Sequence, residues 1–169
     1  MASTVPRMDA LESRAWLALV ATCELLPAAL DAQLRAGAGI THFEFMVLSG
    51  LMQAGRSTLR VSDIAGMTNA TLPRLSKVIG KLEARGLVER GGSADDARVT
   101  EVRLTSEGRK VLVHALPGHL AQVRDLVIGR LDPAQLEALA DMLEPVVERL
   151  DPQRRMMAVA PSAPAATAG

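Results

Sequence analysis

The sequence predicts a mainly helical chain, six helices carrying one small β-hairpin, and three observations lead there. Aromatic residues make up only 2% of the chain, with one Trp, two Phe and no Tyr. A core must therefore come from Leu, Val, Ile, Ala and Met, which suit packed helices better than a β-sandwich. Apolar residues recur at spacings of three and four over most of the length. Only residues 87–104 read as two short strands around a glycine-rich tip.

Met1 to Met8 is expected to be a disordered lead. From Asp9 onward Leu11, Ala15, Leu19, Cys23, Leu26, Leu30 and Leu34 form one helical stripe. Pro27 falls inside it and should kink the helix rather than end it; Gly37 and Gly39 stop it. Thr41 caps a second helix with Glu44 at capping-box spacing, its apolar face being Phe43, Met46, Val47, Leu48, Leu51 and Met52 and its end Gly55. Arg60-Val61 reads as extended, and Ser62 as the cap of a brief helix through Ile64, Ala65 and Met67. After the polar turn Thr68-Asn69-Ala70 comes a longer helix, capped by Thr71, with Pro73 in its first turn. It runs to about Arg85, burying Leu72, Leu75, Val78, Ile79 and Leu82, and Gly86 stops it.

Leu87 to Arg90 reads as a strand, Gly91 to Arg98 as a flexible tip, and Thr100 to Leu104 as the return strand. Thr105 caps a fifth helix through Val111, Leu112 and Leu116, interrupted at Pro117-Gly118 and resuming to Leu131. Asp132-Pro133 opens the sixth, with Leu136, Leu139, Met142, Leu143, Val146 and Val147 inward, a bend expected at Pro145 and an end near Leu150. Residues 151–169 are Ala/Pro-rich and expected to be a disordered tail.

A length of 169 residues suits one domain with at most an appendage. The net charge is zero, yet residues 54–110 hold 11 basic and 7 acidic side chains, so the flanks are acidic. A basic middle of this kind suits contact with a polyanion. One cysteine excludes an internal disulfide and fits a reducing, cytoplasmic setting. By the reading of the sequence no apolar run approaches the roughly 18 residues of a membrane span, so no membrane partner is expected. The chain has no glycine-rich phosphate loop, H-E-x-x-H or G-x-S-x-G, which argues against an enzyme and against a cofactor.

Short helix, turn, longer basic helix and hairpin make a winged helix-turn-helix, whose second helix suits a major groove about 12 Å wide. Three stretches carry a closer likeness: Leu82-Glu83-Ala84-Arg85-Gly86-Leu87-Val88-Glu89-Arg90, then Asp96-Ala97-Arg98, then Leu104-Thr105 with Gly108. In them the chain resembles the MarR family of transcriptional regulators, and the helix order matches over residues 9–150. The resemblance implies a homodimer with a helical dimerisation lobe. Residues 9–55 and 105–150 would supply dimerisation and support, and residues 56–104 the DNA-binding lobe. It also implies a repressor of a short inverted repeat, a palindromic operator, released when a small-molecule effector binds. Phenolic or aromatic carboxylates are that family's usual effectors.

On the recognition helix Thr71, Pro73, Arg74, Ser76 and Lys77 lie near the first two turns and off the apolar stripe, with Arg74 and Lys77 on one face. Lys81 and Arg90 read either as phosphate contacts or as solvated charges. Asn69 and Thr68 lie in the turn, within reach of phosphate. By resemblance Arg98 enters the minor groove, held by Asp96; the plain alternative is a pair that orders a hairpin tip. The resemblance draws effector walls from Trp16, Leu17, His42, Phe43 and Met46, although a lone Trp is more often packing. Two sensing branches of the family are alternatives. Redox sensing would use Cys23, here without any tyrosine relay, and metal sensing would use Cys23, Glu24, His42, His114 and His119. His114 and His119 are five apart, which does not bring both onto one metal from a regular helix. A winged helix can also serve as a protein-interaction module without specific DNA binding, but such modules tend to lose the basic residues present here at Arg74, Lys77 and Arg98.

Overall fold

The Asp9 carboxylate accepts a hydrogen bond from the Glu12 backbone N–H, and the Asp9 N–H donates to the Glu12 carboxylate, so the first orphan donors of helix α1 (Ala10–Ala38) are satisfied at once. The structure is a computed structural model describing residues 7–54, 58–92 and 100–156. Helix α1 passes through Pro27 and ends at Gly39, whose φ of 64° is the left-handed cap that glycine adopts without strain. The same double cap, Thr41 with Glu44, starts α2 (His42–Gln53). Gly55, the expected stop, lies outside the described residues.

Helix α2 is the centre of the molecule: Phe45, Val47, Leu48 and Leu51 are buried. Around it lie α3 (Val61–Met67), α4 (Leu72–Ala84), α5 (Ser106–Leu126) and a three-stranded antiparallel sheet. Ile64, Leu75, Ile79, Leu82, Leu87, Val88, Val102, Leu104 and Leu112 close the core. The sheet runs β1 (Thr58–Arg60), β3 (Thr100–Leu104), β2 (Val88–Gly92). Thr58 pairs with Arg103, and Val88 with Leu104.

The junction of α4, β2 and α5 explains why the sequence there is so specific. Gly86 turns the chain at φ 68°, and the Leu87 N–H bonds the Leu82 carbonyl at 2.9 Å. Thr105 donates to the Gly86 carbonyl at 2.7 Å and accepts from the Gly108 N–H at 3.0 Å, capping α5. A Cβ on Gly108 would lie 2.0 Å from the Leu87 carbonyl oxygen. The Leu-Thr-x-x-Gly pattern is thus the place where α5 begins in contact with the wing.

Several local expectations are corrected. Ser62 is not a cap: α3 starts at Val61 and Arg60 precedes it without a side-chain cap bond. Thr71 is the α4 cap residue, again without a side-chain cap bond. Leu72 is exposed rather than buried. Gly91 and Gly92 belong to β2, not to a loop tip. Helix α5 is not interrupted at Pro117-Gly118. Gly118 marks a close approach instead, since a Cβ there would come 2.8 Å from Gln33 Nε2 on α1. Val127 to Leu131 do not continue α5, which gives way to a 3-10 turn, Ile128–Arg130. The apolar stretch of α1 is, by length and composition, long enough to cross a membrane, contrary to the expectation that no run approached that length.

Helix α6 (Pro133–Leu150) starts at an Asp132/Gln135 capping box. None of its residues is fully buried: of the side chains expected inward, Leu136, Leu139 and Leu143 are half-buried and the others are exposed. Met142, Val146 and Val147 are among the exposed ones, as are Leu11, Trp16, Leu17 and Leu25 of α1. Residues 151–156, expected as the start of the tail, turn back instead. The Met156 N–H bonds Asp151 at 2.7 Å, and Arg155 lies against Gly66 of α3, 3.2 Å from where a Cβ would stand.

Candidate nucleic-acid interface

Helices α3 and α4 pack against each other across a turn in which Asn69 takes a φ of 47°, a conformation asparagine tolerates better than most residues. The Ala70 N–H reaches the Ala65 carbonyl at 2.9 Å. Thr68 is buried and donates its hydroxyl to the Ile64 carbonyl at 2.7 Å, so it closes α3 and is not presented to a phosphate. Asn69 is exposed beside it.

Leu75, Ile79 and Leu82 turn α4 onto the core, and the opposite side carries Thr71, Pro73, Arg74, Ser76, Lys77 and Lys81, all exposed. Arg74, Lys77 and Lys81 follow one another at spacings of three and four, a single cationic ridge. Among the described residues none of these three has a carboxylate partner. Arg74 instead lies over the Phe43 ring of α2, 4.4 Å from its centroid.

Arg90 has a different place. Its Nη2 donates to the Ser76 carbonyl at 3.0 Å, its backbone N–H to Glu83 at 3.2 Å, and its Nε stands 3.3 Å from the Glu83 carboxylate. It fastens β2 to α4, a role that sequence reasoning missed. Gly80 was the available signal: a helix-interior glycine is unfavourable by about 1 kcal/mol, and a Cβ there would crowd Arg90 Nη2 at 3.2 Å. Glu89 and Arg103 pair across β2 and β3. Asp96 and Arg98 lie outside the described residues.

The surroundings of this ridge can be compared with known proteins. A family model described as MarR family matches residues 38–99. The solved MarR family regulator Sco3205 of Streptomyces coelicolor, in complex with DNA, is 34% identical with a TM-score of 0.81, covering 85% of this chain and 94% of that one. AbsC of the same organism, also a MarR family regulator, is 30% identical with a TM-score of 0.83, covering 88% and 100%. The transcriptional repressor YetL of Bacillus subtilis is 28% identical over 115 residues, 68% of each chain. This chain belongs to the MarR family. It is a DNA-binding transcriptional regulator with a winged helix-turn-helix, and MarR proteins are not enzymes.

The residues that the MarR resemblance assigned to an effector are only partly brought together. His42, Phe43 and Met46 sit half-buried at the start of α2. Trp16 is exposed on α1, 15 residues before Asp31, whose carboxylate takes the His42 N–H at 2.9 Å. At 1.5 Å per residue, Trp16 is therefore about 22 Å along the helix from that group. Leu17 is exposed beside it.

What joins His42 is His119 of α5, ring centroids 6.0 Å apart, with Phe45 at 4.3 Å from His119. Burial pushes both histidines below their ordinary value; Asp31 opposes this at His42, and the neighbouring His42 reinforces it at His119. The Arg35 hydrogen bond, aided by the His42 backbone N–H, holds Asp31 below the usual carboxylate range against the effect of burial. Among the described residues two buried polar atoms lack a partner, His119 Nδ1 and Gln33 Oε1. His114 and Cys23 are exposed on other faces. Among the described residues no three His, Cys, Asp or Glu side chains are grouped to hold a metal.

Proposed function

We propose that this MarR protein is a cytoplasmic homodimeric repressor that grips a short inverted repeat and lets go when a small effector binds. The observation that carries the reading is the exposed cationic ridge Arg74-Lys77-Lys81 on α4, without a carboxylate partner among the described residues and set opposite the buried Leu75-Ile79-Leu82 face. In this reading Thr71, Pro73, Arg74, Ser76 and Lys77 meet base edges, Asn69 and Lys81 meet phosphate, and Arg98 enters the minor groove with Asp96 beside it. Arg90 keeps the wing in register with α4 and leaves the phosphates to its neighbours. The DNA complex of Sco3205 and the repressor YetL support the reading.

Dimerisation is supported by the uncovered apolar side chains of α1 and α6, Leu11, Leu17, Val147 and Leu150 among them. An obligate interface there should bury more than about 2,000 Å². For the effector, the meeting place of α1, α2 and α5 is favoured by its two unpartnered polar atoms. A phenolic or aromatic carboxylate would offer them partners and lay its ring beside Phe45, with His42, Phe43 and Met46 at the edge.

Selection of bound sequences from a random duplex pool at about 100 mM salt tests the core of this reading. It should return an inverted repeat with half-sites about one helical turn apart, and hydroxybenzoates should release it. Recovery of no common sequence would overturn it.

A further inference from the structure

Arg74 is a cation whose neighbour is a ring rather than an acid. Its guanidinium carbon lies 4.4 Å from the centroid of Phe43, the second residue of α2. That ring is held from several sides. Phe43 packs half-buried at the margin of the core, and the turn before it is locked by the Thr41–Glu44 capping box. Glu44 in turn lies 3.6 Å from Arg85, whose Nη2 donates to the Gly39 carbonyl at 3.1 Å. The α1–α2 corner therefore touches the recognition helix at both ends, by an ion pair at Arg85 and by an aromatic face at Arg74.

The difference between the two contacts is functional. A carboxylate would hold Arg74 still but would cancel its charge and occupy its donors. The ring attracts the cation through its quadrupole, leaves the charge intact and takes no place among the carboxylate or phosphate acceptors. An exposed arginine otherwise samples many rotamers and loses that freedom on binding. Lys77 and Lys81, on the same ridge, have no ring among the cation–aromatic contacts of the described residues.

We propose that Phe43 is a positioning residue for DNA recognition, its ring presetting the Arg74 guanidinium for the group it meets on DNA. The proposal rests on reading Arg74 as an interface residue. The test is fluorescence anisotropy with a duplex selected by the wild-type protein and with a scrambled one, for Phe43→Leu, Phe43→Trp, Arg74→Ala and the double variant Phe43→Leu/Arg74→Ala. Thermal melts of each variant report folding. Phe43→Leu keeps apolar bulk without the ring and should weaken binding to the selected duplex by about two- to fivefold, with little change on the scrambled one. Phe43→Trp should restore binding, and Phe43→Leu should add nothing once Arg74 is Ala. Wild-type affinity in Phe43→Leu, with Arg74→Ala weakened, overturns the positioning role alone. Fully additive losses in the double variant overturn it too. Unchanged affinity in Arg74→Ala overturns the interface reading of that residue and the positioning role with it.

Discussion

The winged lobe and the two terminal helices are built from the same residue types and end in opposite states. Around α2, the leucines of α1, α2, α4 and α5 close on one another: Leu34, Leu48, Leu51, Leu75, Leu82 and Leu112 are fully covered. On α1 before Leu30, and along α6, no residue is buried. The first region satisfies itself; the second has apolar stripes that no other described residue fully covers. An amphipathic pattern in a sequence thus tells which face of a helix is to be buried, and leaves open whether the burying surface belongs to the same molecule.

This difference is broken most strongly by the same kind of truncation in the two regions. Leu48→Ala should cost about 2–5 kcal/mol of unfolding free energy, independent of protein concentration, in urea melts. Val147→Ala should cost far less at the lowest protein concentrations, and its effect should grow as copies associate. Equal costs that ignore concentration would show that α6 is covered within one chain.

The next effect sits where the lobes join. In Gly108→Ala the new methyl meets the Leu87 carbonyl, and neither backbone segment moves without disturbing the Thr105 cap or the β2–β3 stem. The expected loss is about 1–3 kcal/mol, on the scale of overpacked sites, with weakened DNA binding as the wing base shifts. Gly80→Ala is the control, because the only atom it crowds is the far end of a flexible arginine. A thermal melt in which the two glycine variants match would remove the special status of that junction. Smaller again, Arg90→Gln should cost on the order of 1 kcal/mol. It should weaken DNA binding with little change in salt slope, whereas loss of a phosphate contact would lower the slope by about 1.

The helices of this molecule were largely legible because their ends are marked. Thr41 and Thr105 cap as expected, the first and last helices start after Asp9 and Asp132 where their patterns begin, and Gly39 and Gly86 turn the chain where glycines were expected to. Ser62 misled because a cap needs the right backbone more than the right side chain, and β1 delivers the chain into α3 two residues earlier. Pro117-Gly118 misled because proline removes one hydrogen bond while a glycine beside it admits a neighbour, here Gln33, and the packing of α1 on α5 holds the helix together. The basic ridge of α4 was legible from three- and four-residue spacings. Arg90 and Phe43 were not, since their partners lie 14 and 31 positions away in sequence. Only the folded chain brings such pairs together.

The smallest expected effect lies on the seam between the two regions, at His42 and His119. Burial lowers both below the ordinary histidine value of about 6.5. The charged groups around them are Asp31 and Arg35 on α1 and Glu44 on α2, and of these Asp31 pulls His42 back upward. With a folded value below the unfolded one, the unfolded chain binds more protons in the window beneath pH 6.5. Stability therefore rises with pH through that window and is lost as pH falls through it. Because the two rings are only half-buried, the loss should stay well below that of Gly108→Ala. Urea midpoints taken from pH 7.5 to 5 should fall below about pH 6.5, and His119→Gln, which cannot take up the proton, should flatten the fall. Parallel curves for the wild type and His119→Gln would mean that the acid sensitivity resides elsewhere, in carboxylates such as Asp31 whose folded value is also lowered. Those curves would bend in the acid range of carboxylates rather than near pH 6, so the position of the bend separates the two origins even where the midpoints overlap.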